Sequence, residues 1–426
     1  MAIQPANNTP TNQLLFVSFS VPISIDVVYE FFKHINRLSD FCSLSLVSHQ
    51  FNRLICSDAF PFWQPLLISR FPSSFQSIPH TLPPKLLYKH LKCTENNMRD
   101  GIFHKTTLIG QPGDVRNLCL KNNTLVSSSR DRTIKIWDIE SGKLLHSMNG
   151  HQEFISCLEI KDSKIVSGSR DNTIKVWDLE KGTLLYSLED HQDWVTCLKI
   201  KDNMIVSGSL DHTIKLWDLE SGKLLESLQG DQRDITQLKI DNDTLFSGST
   251  NNTVMTWDLK SRKPICSLSN IMSRFEFFEV KDNFLICLSN HIIRIYDFET
   301  GEPLHCLDKH ESTIRALEIK DNMLISASAD GTIKIWDLQS GSELHSLDTN
   351  PSYPVQIQVK DNLLIAGMKN GSITIWDLQS GKQLNTFEVH PGGFSASLKV
   401  ENGKIISGST DGTIAVLDFN ANARPA

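Results

Sequence analysis

Residues Ser127–Asp138 read SSSRDRTIKIWD, and variants of this phrase return about every forty residues. Clear copies close at Asp178, Asp218, Asp258, Asp337 and Asp377, and two weaker copies close at Asp297 and Asp418. Successive closing aspartates are 40, 40, 40, 39, 40, 40 and 41 residues apart. A fixed period of this length predicts a chain built from one repeated supersecondary unit.

Each unit carries the pattern of four short strands. In the second unit, Cys157–Ile160, Ile165–Ser169 and Thr173–Trp177 are β-prone runs separated by the turn-forming segments KDSK and RDN. A fourth run follows the closing aspartate, as in Lys143–Met148. A four-stranded sheet cannot bury both faces alone, so the sequence predicts sheets stacked face to face in a closed ring, a β-propeller.

The two ends of the repeat array are complementary. Only FNANARPA follows Asp418, too short and polar for a fourth strand, whereas Phe103–Ile109 precedes the first unit. We expect this early segment to complete the last sheet and remove an exposed strand edge. The predicted count is eight blades, or seven if the weak unit around Tyr296 and Asp297 is not a blade. The period and the Trp-Asp endings resemble the WD-repeat family.

Composition and charge narrow the classes of function. The chain is 40% hydrophobic and 21% charged, which is typical of globular proteins. Residues 1–100 hold 8 basic and 6 acidic residues, so the net charge of −7 leaves −9 on residues 101–426. An acidic propeller argues against nucleic-acid binding, which relies on a basic surface.

The cysteines and the apolar runs indicate an intracellular, soluble protein. The nine cysteines contain no CxxC pair, and Cys157 and Cys197 share one repeat position, which favours core thiols over metal ligands or disulfides. Leu14–Phe19 is too short for a signal peptide or a membrane span. We expect a location in the cytoplasm or nucleus, or in the host cytoplasm if the source is an intracellular bacterium, with no metal or cofactor.

Changes in composition divide the chain into four regions. Residues 1–20 predict a disordered lead-in, residues 21–68 a small all-α module, residues 69–102 a helical linker and residues 103–420 the propeller. No long dimerising helix fits the lead-in, so no self-dimerisation domain is expected. A module this short buries little surface and needs a partner.

The helical module resembles the F-box. Val21-Pro22, Phe32, Ile35, Leu46–Leu54 and Trp63 follow that family's pattern, with Ser48 and Phe51 in place of its usual Cys and Trp. An F-box followed by a propeller is similar to the F-box/WD-repeat substrate receptors of SCF-type cullin ubiquitin ligases. The resemblance implies that the module binds a Skp-type adaptor and, through it, a cullin scaffold. The expected contact residues are apolar: Pro22, Ile25, Val28, Phe32, Val47, Phe51 and Leu54.

The resemblance to WD-repeat proteins also implies a buried hydrogen-bond chain within each complete unit. Its His, turn Asp and Trp match three sets in this sequence: His151, Asp171 and Trp177; His191, Asp211 and Trp217; and His310, Asp330 and Trp336. Their repetition argues against catalytic triads, because an active site is usually needed once and a packing solution is needed in each blade.

Basic residues that break the repeat are the candidate substrate-binding residues. They occupy the position before the turn Asp or the entry to the innermost strand: Arg116, Arg130, Arg170, Arg315 and Lys369. Two interpretations stay open, since each cation either pairs with a nearby turn Asp or binds a ligand. Their placement is similar to the arginine-lined pocket of phosphodegron-reading receptors, which implies an acidic or phosphorylated protein substrate.

The leading hypothesis is therefore a non-catalytic substrate receptor of a ubiquitin ligase. The main alternative is a WD-repeat scaffold that assembles protein complexes without ubiquitin transfer, and a propeller enzyme is a distant third. Neither nucleic-acid nor membrane partners are expected.

Overall fold

The computed structural model describes residues 84–111, 113–229, 233–269 and 276–420. The predicted lead-in and F-box-like module lie outside these residues. The described part begins with helix α1 (Pro84–Asp100), which is followed by thirty-two strands. Those strands form eight antiparallel four-stranded sheets, so the protein is a mainly β, eight-bladed propeller. The weak unit around Tyr296 is a complete blade, which excludes the seven-bladed alternative.

Blade 1 comprises β2–β5, blades 2 to 7 each take the next four strands, and blade 8 takes the last three strands together with the first. The first, innermost strands are β2 (Val115–Lys121), β6 (Ile155–Lys161), β10 (Val195–Lys201), β14 (Ile235–Asp241), β18 (Phe277–Lys281), β22 (Ile314–Lys320), β26 (Pro354–Lys360) and β30 (Ser395–Glu401). The second strands are β3 (Thr124–Ser129), β7 (Lys164–Ser169), β11 (Met204–Ser209), β15 (Thr244–Ser249), β19 (Phe284–Ser289), β23 (Met323–Ser328), β27 (Leu363–Met368) and β31 (Lys404–Ser409).

The third strands carry the Trp-Asp endings or their variants. They are β4 (Ile134–Asp138), β8 (Ile174–Asp178), β12 (Thr213–Asp218), β16 (Thr253–Asp258), β20 (Ile292–Asp297), β24 (Thr332–Asp337), β28 (Ser372–Asp377) and β32 (Ile414–Asp418). The outer strands are β1 (His104–Leu108), β5 (Leu144–Met148), β9 (Leu184–Leu188), β13 (Leu224–Gln229), β17 (Lys263–Leu268), β21 (Pro303–Leu307), β25 (Glu343–Asp348) and β29 (Gln383–Glu388).

Ring closure follows the sequence prediction. Strand β1, the first of the described strands, pairs antiparallel with β32, the last of them, in a register that runs from His104 opposite Asp418 to Leu108 opposite Ile414. Blade 8 therefore consists of β30, β31, β32 and β1. The pairing supplies the outer strand of this blade.

The hydrophobic core lies between blades. Within the described residues, eight apolar clusters each join two consecutive blades, including one that joins blade 8 to blade 1. The blade 1–2 cluster shows the pattern, with Val126 and Ile136 packed against Ile165 and Trp177. Each sheet thus buries its two faces against its two neighbours.

Helix α1 ends against blades 7 and 8. Gly101 terminates it in the left-handed region (φ 73°), and the Ile102 N–H donates to the Asn97 carbonyl at 2.8 Å. The Asn97 side chain donates to the Phe419 carbonyl at 2.8 Å, and Arg99 pairs with Asp377 at 2.5 Å. The C-terminal half of α1 is therefore fixed to the propeller by polar contacts at both blades.

Within the described residues, three blades contain the complete hydrogen-bond chain. In blade 2, His151 Nδ1 lies 2.8 Å from Asp171 Oδ2, His151 Nε2 lies 2.8 Å from Ser167 Oγ, and Trp177 Nε1 donates to the same Ser167 Oγ at 2.9 Å. Blades 3 and 6 repeat it with His191, Ser207, Asp211 and Trp217, and with His310, Ser326, Asp330 and Trp336. Each chain ties the loop before the first strand to the second and third strands, and it satisfies polar groups that would be costly to bury alone.

The histidine at this position has substitutes elsewhere. In blade 1, Gln111 accepts a hydrogen bond from Ser127 Oγ at 2.6 Å, and Trp137 donates to that same oxygen. In blade 8, His390 keeps its contact with Ser407 while Leu417 replaces the Trp. Blade 1 thus has a glutamine where the three complete units have a histidine.

Burial affects the protonation states of His310 and His390, which belong to these hydrogen-bond chains. It lowers the pKa of His310 and of His390, because the apolar surroundings disfavour the imidazolium. For Asp330, burial alone would raise the pKa, but hydrogen bonds from Thr332, His310 and the Glu311 backbone lower it to about 2. A neutral imidazole beside an ionised carboxylate is therefore the state at neutral pH.

Strand β1 gives a direct test of ring closure. Leu108 is 2% exposed and belongs to the blade 8–1 core, whereas its neighbour Ile109 is 77% exposed. We expect Leu108→Ala to lower the free energy of unfolding by about 2–5 kcal/mol, because it leaves a cavity in the closing blade. Ile109→Ala is the matched control, expected within about 0.5 kcal/mol of wild type by urea denaturation. Equal effects of the two substitutions would contradict closure through β1.

The buried histidines predict a pH dependence. The pKa of His310 is lower in the folded than in the unfolded chain, so the unfolded state binds more protons below pH about 6.5. The free energy of unfolding should therefore fall as the pH drops from 7 to 5.5. In His310→Gln, which introduces the residue type that blade 1 has at Gln111, the urea midpoint should change less over that interval. A variant with the same pH response as wild type would remove His310 from the explanation.

Candidate functional site

Two loops of each blade meet on one face of the propeller, which we call the upper face. They are the loop before the first strand and the loop between the second and third strands. Backbone hydrogen bonds join them at equivalent positions, from the Arg130 N–H to the Asp114 carbonyl (3.1 Å) and from the Arg170 N–H to the Phe154 carbonyl (2.9 Å). Residues that vary between repeats at these positions are thus held close together.

The upper face of blades 1 to 3 contains a cavity of about 510 Å³ that we call the arginine cavity. Its lining residues are Arg116, Arg130, Arg132, Glu153, Phe154, Arg170 and Trp194. The structure therefore brings together three of the five predicted substrate-binding residues, Arg116, Arg130 and Arg170. Four guanidinium groups against one lining carboxylate make this a site suited to an anion.

The arginines of this cavity differ in their partners. Arg116 pairs with Asp114 at 3.0 Å, as the ion-pair interpretation predicts, although its side chain is 54% exposed and such a pair contributes little. Arg132 donates to the Gln152 carbonyl at 2.8 Å. Among the described residues, no carboxylate lies within ion-pair distance of Arg130 or Arg170. Their charge is available to a ligand.

The other two predicted residues lie outside the arginine cavity. Arg315 lines a second cavity, of about 590 Å³, formed by the innermost strands around the central channel. We call it the channel cavity, and Arg116 lines it as well. The Lys369 ammonium lies 3.9 Å from the centroid of the Phe394 ring, and Lys369 lines neither cavity. Three of the five predicted substrate-binding residues thus form one cluster, and Arg315 and Lys369 lie outside it.

The innermost strands around the channel carry charges of both signs. Lys199 pairs with Glu159, and Lys239 pairs with Glu279 at 2.6 Å. Burial, with a contribution from Glu279, raises the pKa of Glu318 to about 7. This mixture shows no preference for an anion, so the channel interior differs chemically from the arginine cavity.

Three thiols of the innermost strands are poor nucleophiles. Burial raises the pKa of the Cys119, Cys157 and Cys197 thiols to about 12, which keeps them protonated and poorly nucleophilic. In the same described ranges, no three His, Cys, Asp or Glu side chains cluster as metal ligands would. No helix of the described part has the length and apolar character to span a membrane.

The predicted adaptor-binding residues lie outside the described residues. These are Pro22, Ile25, Val28, Phe32, Val47, Phe51 and Leu54. Their role remains a prediction from the resemblance to the F-box.

Sequence reasoning missed four residues of the arginine cavity. Arg132 sits in the turn after Asp131 with φ 72°, where blade 2 has Asn172, so it reads as an ordinary turn residue. Phe154 and Trp194 precede the innermost strands of consecutive blades, and Glu153 is next to Phe154. Alignment of the repeats could have identified Phe154 and Trp194, because this position varies between repeats: blades 1 and 4 have Asp114 and Asp234 there.

Comparison with known proteins identifies the repeat. The family model described as WD domain, G-beta repeat matches residues 104–138, 142–178, 182–218, 222–258 and 301–337. The WD repeat-containing protein pop2 of Schizosaccharomyces pombe is 49% identical over 41 residues, which cover 10% of this chain and 6% of the yeast protein.

The fold also has a counterpart among solved structures. The crystal structure of the computationally designed Ika8 protein is similar with a TM-score of 0.67 and 34% sequence identity, and the match covers 73% of this chain and 98% of the designed chain. The repeat match, the eight blades and this likeness agree. This chain is a WD-repeat protein.

Proposed function

We propose that this protein is a substrate-recognition subunit of an SCF-type ubiquitin ligase that binds an acidic or phosphorylated protein segment. The observation that carries the proposal is the arginine cavity, where Arg130 and Arg170 face a shared space without a carboxylate partner among the described residues. The F-box resemblance of residues 21–68 supports the adaptor contact. Localisation in the cytoplasm or nucleus is part of the proposal.

The cavity favours a compact anion for electrostatic reasons. The propeller part of the chain is acidic overall, so a local group of arginines attracts one anionic segment while the surrounding surface repels acidic proteins. Guanidinium groups bind phosphate or carboxylate through two parallel hydrogen bonds.

In this proposal the protein itself catalyses nothing. The helical module holds a Skp-type adaptor and thereby a cullin scaffold, and the arginine cavity holds the substrate. Ubiquitin transfer is faster because the effective concentration of substrate lysines is raised near a ubiquitin-loaded conjugating enzyme on another subunit.

The alternative is a scaffold that uses the same propeller without ubiquitin transfer. Both proposals use the upper face, so the anion-binding test does not separate them. Adaptor binding does, because only the receptor proposal requires residues 21–68 to hold a Skp-type protein.

Anion binding is tested by removing two arginines together. Arg116→Ala/Arg170→Ala should weaken capture of phosphorylated partners by about a hundred-fold or more, because each of the two lost charge-assisted contacts costs about 1.5–3 kcal/mol. Phosphatase treatment of the partners should have a similar effect on wild type. The matched control is Lys260→Ala/Arg262→Ala, which removes the same charge from residues paired with Asp243 and Glu226 outside the cavity. Partners that respond neither to the cavity substitutions nor to phosphatase exclude this site.

Adaptor binding is tested by placing charge on the predicted apolar surface. Val28→Glu/Phe51→Glu in the full chain should abolish co-purification of a Skp-type adaptor and cullin, because an apolar contact does not accommodate two carboxylates. The arginine double variant serves as the control and should retain both proteins. Survival of adaptor binding in a soluble, folded Val28→Glu/Phe51→Glu protein contradicts the F-box assignment and favours the scaffold.

A further inference from the structure

The Arg170 guanidinium lies over two aromatic rings that belong to different blades. Its central carbon is 4.4 Å from the centroid of the Trp194 ring in blade 3 and 5.2 Å from that of Phe154 in its own blade. The Phe154 carbonyl also accepts the Arg170 backbone N–H. Backbone and side chain of Arg170 are therefore both restrained at the edge of the arginine cavity.

The repeats indicate that this contact is a recurring unit. The position before the turn Asp or Asn is basic in three blades, and in each case the next blade has an aromatic residue before its innermost strand: Arg130 with Phe154, Arg170 with Trp194, and Lys369 with Phe394. The contact itself is present for Arg170 and for Lys369. Where the next blade has an aspartate before its innermost strand, the residue before the turn is uncharged, as for Leu210 with Asp234 and Thr410 with Asp114. Ala329, with Tyr353 in the next blade, shows that the aromatic residue also occurs without a basic partner.

Stacking of this kind determines what the arginine offers to a ligand. An aromatic ring contacts the face of the guanidinium plane and leaves the N–H groups at its edge free to donate. It also limits the rotamers of a long side chain, so less conformational freedom is lost when a ligand binds. A stacked arginine is thus prepared for an oxyanion that approaches in the guanidinium plane.

We propose that Trp194 is a positioning residue, which orients Arg170 toward an oxyanion of the ligand and does not itself supply the ligand contact. The inference rests on the proposed anion-binding function and adds the residue on which the geometry of that site depends. At this point of the cavity the ligand presents phosphate or carboxylate oxygens and no apolar or aromatic side chain.

The decisive experiment is a double-mutant cycle on the full chain. The probe is a fluorescein-labelled phosphothreonine peptide, selected from a degenerate phosphopeptide library by its binding to wild type. Trp194→Leu should weaken binding by about three- to ten-fold, which corresponds to the loss of a cation–π contact and of side-chain restraint. In an Arg170→Ala background the same substitution should have no further effect, because Trp194 acts through Arg170.

Two further variants guard against a merely structural effect. Trp194→Tyr keeps an aromatic face and should retain most of the affinity. Phe394→Leu removes the equivalent contact from Lys369, outside the arginine cavity, and should leave the affinity within about two-fold of wild type. Arginine-selective NMR supplies a readout without ligand: the Arg170 Hε resonance should be shifted by the aromatic rings in wild type and should lose part of that shift in Trp194→Leu.

The outcomes separate the positioning role of Trp194 from the anion-binding function of the cavity. If Trp194→Leu costs as much affinity in the Arg170→Ala background as in wild type, Trp194 contacts the ligand directly and the positioning role is wrong while the anion site stands. If the Arg170 resonance does not respond to Trp194→Leu, the contact itself is absent. If wild type selects no phosphopeptide, the anion site fails and the positioning role fails with it.

Discussion

The structure depends on the constraint that no single blade can bury both of its faces. Each blade has apolar side chains on both sides of a four-stranded sheet, and the eight clusters of the described core each require two consecutive blades. A linear stack would leave two apolar faces in water, so the stack must close. The period, the pairing of β1 with β32 and the buried hydrogen-bond chains all serve this closure.

This constraint explains why the fold was predictable from sequence. A repeat of forty residues with strand and turn signals in fixed order specifies the blade, and the surplus segment before Val115 identifies the closing strand. Even the blade whose third strand ends with Tyr296 and Asp297 could be counted, because the forty-residue spacing of the closing aspartates persists where the residues of the repeat diverge. Residues 259–300, which fall between the stretches matched by the family model, still complete a sheet because neighbouring blades supply both of its packing surfaces.

The candidate site was predictable only in part. Repeat position specifies the angle of a residue around the ring, so Arg116, Arg130 and Arg170 were expected on adjacent blades. It does not specify distance from the axis or the neighbours of a long side chain. Arg315 therefore lies at the channel and Lys369 over Phe394, although both were predicted as substrate-binding residues together with the three arginines. Phe154 and Trp194 were missed because aromatic residues beside a strand resemble core residues until the loops are placed in space.

The pairing of β1 with β32 has a consequence for the synthesis of the chain. Of the described strands, β1 leaves the ribosome first and its partner β32 leaves last. At about 5–20 residues per second, the interval between them is roughly 15–60 s. Throughout that interval the nascent propeller has an unpaired strand and two open apolar faces, the features that favour aggregation. Completion of the ring is therefore a late event of translation, because the closing pair cannot form until Asp418 has emerged.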